Sequence, residues 1–151
     1  MVEDFRDLLA EFIKADVRFL VVGAHALGAH GVPRSTVDLD LWIARTPDNA
    51  RRVWTALAAF GAPLETLGIQ EADFGRPDLV AQFGLPPFRI DILTGVSGLT
   101  FDEAWPNRIE ADFDDVRVPF LGRAELIRNK RASGRKKDLA DLESLGDDGQ
   151  S

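Results

Sequence analysis

Apolar residues recur along this chain with two periods, and the switches between them mark out its elements. Phe5, Leu8, Leu9, Phe12 and Ile13 are spaced at i, i+3, i+4, i+7 and i+8, which predicts a first helix with one apolar stripe. RFLVVG then predicts a strand over about 18–22, and Gly23 permits a tight turn into a short helix, Ala24 to His30. Gly31-Val32-Pro33 breaks that helix. In the next run, about 37–43, Val37, Leu39, Leu41 and Ile43 share one face of a strand and Asp38 and Asp40 share the other. Thr46-Pro47 supplies the N-cap and first-turn proline of a helix whose stripe is Ala50, Val53, Trp54, Leu57 and Phe60 or Gly61.

The pattern is weakest from residue 61 to 87, where Gly and Pro are frequent and only a short strand near Leu79 to Phe83 is indicated. Such a segment is either an insertion or a substrate-facing loop. A strand over 88–93 follows and carries Asp91 in an apolar frame like that of the earlier aspartates. Thr100-Phe101-Asp102-Glu103 matches a capping box and starts a short helix that stops before Pro106. Ile109, Ala111 and Phe113 alternate, as do Val116, Val118 and Phe120, with Asp114-Asp115 turning between them: a hairpin. Two helices, about 123–132 and 136–145, are split by Ser133-Gly134, and Leu139, Leu142 and Leu145 form the last stripe before Gly146.

Composition narrows the class of protein. The 151 residues suit one domain, taken as 1–146, with 147–151 as a disordered tail. No apolar run approaches the length of a membrane span, and the acidic, amphipathic N-terminus is wrong for a secretion signal, so the expectation is a cytoplasmic protein. With no cysteine, disulfides, thiolate catalysis and cysteine–zinc sites are excluded. A net charge of −7 argues against broad nucleic-acid binding. Against that background, Arg123, Arg128, Lys130, Arg131, Arg135, Lys136 and Lys137 face one acid, Glu125, within residues 123–137. A local basic segment in an acidic protein suits a small polyanion such as a nucleoside triphosphate; a solvated helix face is the plainer alternative.

Asp38, Asp40 and Asp91, if their strands are neighbours, make a divalent-cation site. Nucleotidyl transfer requires charge on a triphosphate to be neutralised while a hydroxyl attacks the α-phosphorus, and Mg²⁺ held by two or three aspartates supplies that. Asp38 and Asp40 would bind metal directly; Asp91 would complete the nucleophile side and help accept the proton. The competing reading is a half-exposed strand whose aspartates face water, because a lone Asp-x-Asp is a weak motif. Context favours chemistry. Gly23 ends one strand fifteen residues before Asp38, and a glycine turn at a helix start brings backbone N–H groups to phosphate. Neither a Walker loop nor a dinucleotide fingerprint is present, since Ala29-His30 stands where Lys-Ser/Thr is needed and there is no Gly-x-Gly.

Apolar strand, glycine turn, helix and Asp-x-Asp strand together resemble the polymerase-β-type nucleotidyltransferase superfamily. Within it, GVPRSTVDLDLW, RIDIL and LIRNKRASGRKKDLADLESL resemble the small bacterial branch allied to the abortive-infection nucleotidyltransferase toxins. The resemblance spans about residues 20–145. It implies an α+β fold, a mixed β-sheet flanked by helices with a C-terminal helix pair, together with Mg²⁺ dependence and a nucleoside triphosphate substrate such as ATP. Carried over by residue, Gly23 and Ala24 take the phosphate-facing turn, Asp38 and Asp40 the metal pair, and Asp91 the third carboxylate. Lys130 and Lys137 resemble the basic residues placed on the triphosphate, and Asp138 the acidic residue beside the site. The turn departs from the superfamily's Gly-Gly or Gly-Ser, because Ala24 offers phosphate an N–H but no hydroxyl.

Arg34, just before the Asp-x-Asp strand, can reach phosphate or pair with a nearby acid. His25 and His30, five apart, would lie on different helix faces and are poor zinc partners; His25 either touches substrate or is structural. Trp42, Trp54 and Trp105 either stack on a base or fill the core. Two functions are therefore carried forward. The first is a Mg²⁺-dependent transferase moving an NMP to a hydroxyl of a tRNA, protein or small molecule, as a toxin with an antitoxin partner. The second is a nucleotide- or partner-binding module on the same fold with weakened turnover.

Overall fold

The computed structural model describes residues 3–32 and 36–146. Its six strands form one mixed sheet in the order β3-β4-β2-β1-β6-β5. In chain order these are β1 (Phe19–Val22), β2 (Asp38–Ile43), β3 (Val80–Phe83), β4 (Arg89–Leu93), β5 (Ile109–Phe113) and β6 (Val116–Phe120). The helices are α1 (Glu3–Lys14), α2 (Ala24–Ala29), α3 (Pro47–Phe60), α4 (Phe101–Ala104), α5 (Arg123–Ser133) and α6 (Lys136–Ser144). The α+β class with helices on both faces is as the sequence implies. None of the described helices is long and apolar enough to cross a membrane. Arg34 and the tail 147–151 lie outside the described residues.

Strand alternation divides the core in two. Phe19, Val21, Leu39, Leu41 and Ile43 point to one side and meet Phe5, Leu8, Leu9 and Phe12 of α1 and Ala50, Val53, Ala56 and Leu57 of α3. Leu20, Val22 and Trp42 point to the other and meet Leu126 and Ile127 of α5, Leu142 and Leu145 beyond it, and Ala26 and Leu27 of α2. Each of these large side chains, fully buried, contributes roughly 1.5–3 kcal/mol over its exposed state.

Local signals in the sequence fix most boundaries. Thr46 accepts the Asn49 N–H and Pro47 opens α3, which Gly61 closes in the left-handed conformation at φ 94°. Thr100 and Glu103 form both halves of the capping box before α4. The hairpin pairs Phe113 with Val116 across the expected two-residue turn.

Three stripes need correction. Ile13 and Val37 are both 44% exposed, so α1 buries four of its five apolar positions and β2 begins at Asp38. Leu139 is 54% exposed, while the buried positions of α6 include Asp138 and Asp141. The segment 61–87 is mostly structural: a 3₁₀ turn, Glu71–Gly75, buries Phe74 completely, and β3 pairs with β4 at the edge of the sheet. The helix before Pro106 ends at Ala104 as expected, but a 3₁₀ turn carries the chain on through Asn107.

Candidate active site

Asp38 and Asp40 project from β2 on the face that Trp42 shares, opposite the apolar row of Leu39, Leu41 and Ile43. The parallel pairing of β2 with β4 sets Asp40 directly beside Asp91, and Asp38 beside Arg89. Directly paired residues on adjacent strands point the same way, so all three carboxylates share one face. Asp91 is buried, at 7% exposure, and Asp38 and Asp40 are half-buried.

Among the described residues, crowding leaves this row short of positive charge. Burial, the neighbouring Asp91 carboxyl by hydrogen bonding and charge, and the charge of Asp38 push Asp40 up to about 7, with Arg89 opposing them. Arg89 is the cation that sequence reasoning passed over. Its Nη2 lies 3.3 Å from Asp38 Oδ2 and its Nε 3.1 Å from Asp91 Oδ1. The signal was present in RIDIL, where Arg89 is two residues from Asp91 and therefore on its face. No three His, Cys, Asp or Glu side chains among the described residues are gathered as a ready metal cage. The donors nevertheless fit a hard divalent cation: oxygen ligands that repel one another and of which one, Asp40, is held protonated to about neutrality.

Gly23 meets the row from β1, whose Val22 is paired with Asp40. It has φ 72° and ψ −148°, a conformation reserved for glycine, and a Cβ there would collide with Asp40 Oδ2. Both the turn and the close approach therefore require glycine. Beyond it, α2 is only six residues long.

A cavity of about 310 Å³ joins these parts. Gly23, Ala24, Thr36, Asp38 and Asp40 line one side, and Lys130, Arg135, Lys137 and Asp141 line the other. Residues in two separate helices thus reach one space, as the sequence requires if Lys130 and Lys137 are to meet one ligand. The loop after β4 closes the cavity and is tied to α5 by Asn129 Nδ2 donating to the Ser97 carbonyl at 2.9 Å.

The basic residues on the cavity's far side are not equivalent. Lys130 is only 6% exposed, with Nζ 3.0 Å from Asp141 Oδ2 and 3.3 Å from Asp138 Oδ1. Burial pushes its ammonium pKa down while Asp138 pulls it up. Asp138 is fully buried, and burial works against its carboxylate. Hydrogen bonds from Arg135 and Ser133 and the charges of Lys130 and Arg135 outweigh burial and hold Asp138 at about 2. Asp138 is therefore placed to orient Lys130. Lys137 is exposed, lines the cavity and has no ion pair among the described residues. Of the other cations in this segment, Arg123 donates to the Leu145 carbonyl and Arg128 to the Gly98 carbonyl, so both brace the fold.

The remaining candidates are structural. His30 Nε2 lies 2.8 Å from the Leu121 carbonyl. His25 sits between Phe5 and Phe113, at ring separations of 5.8 and 5.1 Å, and burial lowers its pKa. Trp42 is core at 1% exposure, and Trp105 lies beneath Arg108 at 3.9 Å. Trp42 also floors, with Phe101, a second depression of about 660 Å³ that shares Gly95 and Val96 with the first.

No protein-family model matches the chain, and no curated protein sequence matches it. A solved structure does match: a Thermotoga maritima protein described as a "putative nucleotidyltransferase". It aligns with a TM-score of 0.59 at 12% sequence identity, over 92% of this chain and 88% of that one. At that identity the likeness is one of fold.

Proposed function

We propose that this protein is a Mg²⁺-dependent nucleotidyltransferase that moves an NMP from a nucleoside triphosphate to a hydroxyl of an acceptor. The reading rests above all on the β2–β4 register, which sets Asp91 beside Asp40, itself on the wall of a cavity that Lys130 and Lys137 also line. Two separate sequence segments, far apart in the chain, supply opposite charges to one space of the size small ligands occupy.

In this reaction the acceptor oxygen bonds to the α-phosphorus, the bond from that phosphorus to the bridging oxygen breaks, and pyrophosphate leaves. Asp38, Asp40 and Asp91 would hold Mg²⁺, which neutralises phosphate charge and polarises the reacting oxygens. Asp91 takes the proton from the acceptor hydroxyl. The Ala24 N–H and the exposed Lys137 ammonium bind phosphate oxygens, and Lys130, held by Asp138 and Asp141, supplies a positioned charge at the cavity wall. The depression over Trp42 and Phe101 offers space for the acceptor next to the reacting end.

The test is transfer of label from α-labelled ATP, CTP, GTP or UTP to candidate tRNA, protein and small-molecule acceptors, with pyrophosphate release followed in parallel. Wild type with Mg²⁺ should transfer label, and Asp38→Asn with Asp40→Asn should lose it by at least about a hundredfold. Equal transfer by that double variant would remove the mechanism. Nucleotide binding without transfer to any acceptor would favour a binding module, a reading motivated by the missing hydroxyl at Ala24. A toxin role rests on the sequence resemblance; growth arrest on expression, relieved by Asp40→Asn, would support it.

A further inference from the structure

Arg89 occupies a singular place. It is opposite Asp38 in the β2–β4 register and two residues before Asp91, so the pleat delivers its side chain onto the acidic face. Its guanidinium contacts Asp38 Oδ2 at 3.3 Å, Asp91 Oδ1 at 3.1 Å and Asp91 Oδ2 at 3.4 Å. These are the oxygens that the transferase reading assigns to a divalent cation. The guanidinium holds lone pairs of Asp38 Oδ2 and Asp91 Oδ2 by hydrogen bonds and sets its charge 3.1 Å from Asp91 Oδ1, so it competes with a cation for the same oxygens. Because the Arg89 side chain is 48% exposed, it can leave the acids for water, and an entering cation then takes its place beside the buried Asp91.

We infer that Arg89 is the resident counter-ion of the acidic row, which a divalent cation must displace from Asp38 and Asp91 in order to bind. This rests on the transferase reading for the identity of the cation's ligands. Its consequence is separate: the protein with Arg89 in place has a lower affinity for the bare cation than the three aspartates would otherwise give, because the competent arrangement is only part of the population. The displaced guanidinium is left at the cavity's acidic side, where the negative charge of a triphosphate attracts it. Cation and nucleotide therefore assist each other's binding.

The experiment is a titration with Mn²⁺ alone, without nucleotide, followed by calorimetry and by the paramagnetic signal of free Mn²⁺. Arg89→Gln should bind Mn²⁺ about tenfold more tightly than wild type, and Arg89→Lys should lie between, since a point charge still competes but cannot bridge two acids. In thermal melts, cation-free Arg89→Gln should unfold at a lower temperature than wild type, and saturating Mn²⁺ should raise it by more. Unchanged or weaker Mn²⁺ binding in Arg89→Gln would overturn the inference, as would wild type and both variants all failing to bind. Should Arg89→Gln fold poorly, Arg89→Lys carries the same comparison. Tighter binding in the variant with no label transfer by wild type would leave this inference standing and remove the transferase reading; transfer with unchanged Mn²⁺ affinity would do the reverse.

Discussion

Two pairs of carboxylates lie at one cavity: Asp141, which lines it, with Asp138 on α6, both buried, and the half-buried Asp40, which lines it from β2, with the buried Asp91 paired beside it on β4. The first is completed from within. Lys130 is within 3.3 Å of both acids, Arg135 reaches Asp138 at 2.8 Å, and Asp138 is held at about 2. The second has, among the described residues, only the half-exposed Arg89 against three carboxylates, and Asp40 is driven up to about 7. Asp138 is thus a stable anion despite complete burial, whereas the half-buried Asp40 is a reluctant one. A charge cluster satisfied by its own neighbours serves the fold, whereas one left short of charge is poised for a cation from outside.

The largest expected effect breaks the satisfied cluster. Lys130→Met would take the buried ammonium away from two buried acids and should cost about 3–5 kcal/mol in urea denaturation. Asp40→Asn should be neutral or stabilising without divalent cation, because it removes repulsion. Equal losses in the two variants would erase the distinction between the clusters.

Gly23→Ala comes next. The positive φ and the collision with Asp40 Oδ2 should together cost about 1–3 kcal/mol and depress transfer, as measured by melting and turnover.

Acidity separates the clusters by sign. Asp138, depressed in the fold, binds fewer protons than in the unfolded chain, so its contribution is present above about pH 4 and is lost as pH falls toward 2. Asp40, raised in the fold, binds more protons than when unfolded, so cation-free stability should fall as pH rises from about 4 to 7. Melting curves across pH 2–8 should show both limbs, and Asp40→Asn should flatten only the upper one. The smallest effect belongs to Lys137→Ala. Its stability should stay within about 0.5 kcal/mol of wild type while nucleotide binding weakens.

Much of this arrangement was legible in the sequence because strand alternation and capping are local. Two residues of separation put Asp38 beside Asp40, and Thr46-Pro47, Thr100 with Glu103, and Ser133-Gly134 fixed helix ends through bonds within four residues. Long-range pairing was not legible. Nothing local says that β4 lies parallel beside β2 in the register that sets Asp91 against Asp40, or that Arg89 bridges the acids. The last helix misled for the same reason: its leucine spacing suggested Leu139 for the core, whereas the partner presented by α5 is the Lys130 ammonium, which draws Asp138 and Asp141 inward instead.

The most direct test of the unsatisfied acidic row is a set of melting curves at pH 7.5 with Mg²⁺ and a non-hydrolysable triphosphate, each alone and together, on wild type and Asp40→Asn. Wild type should be raised most by the two together, and Asp40→Asn should lose the part that depends on Mg²⁺. An equal Mg²⁺-dependent rise in Asp40→Asn, or none in wild type, would contradict the account.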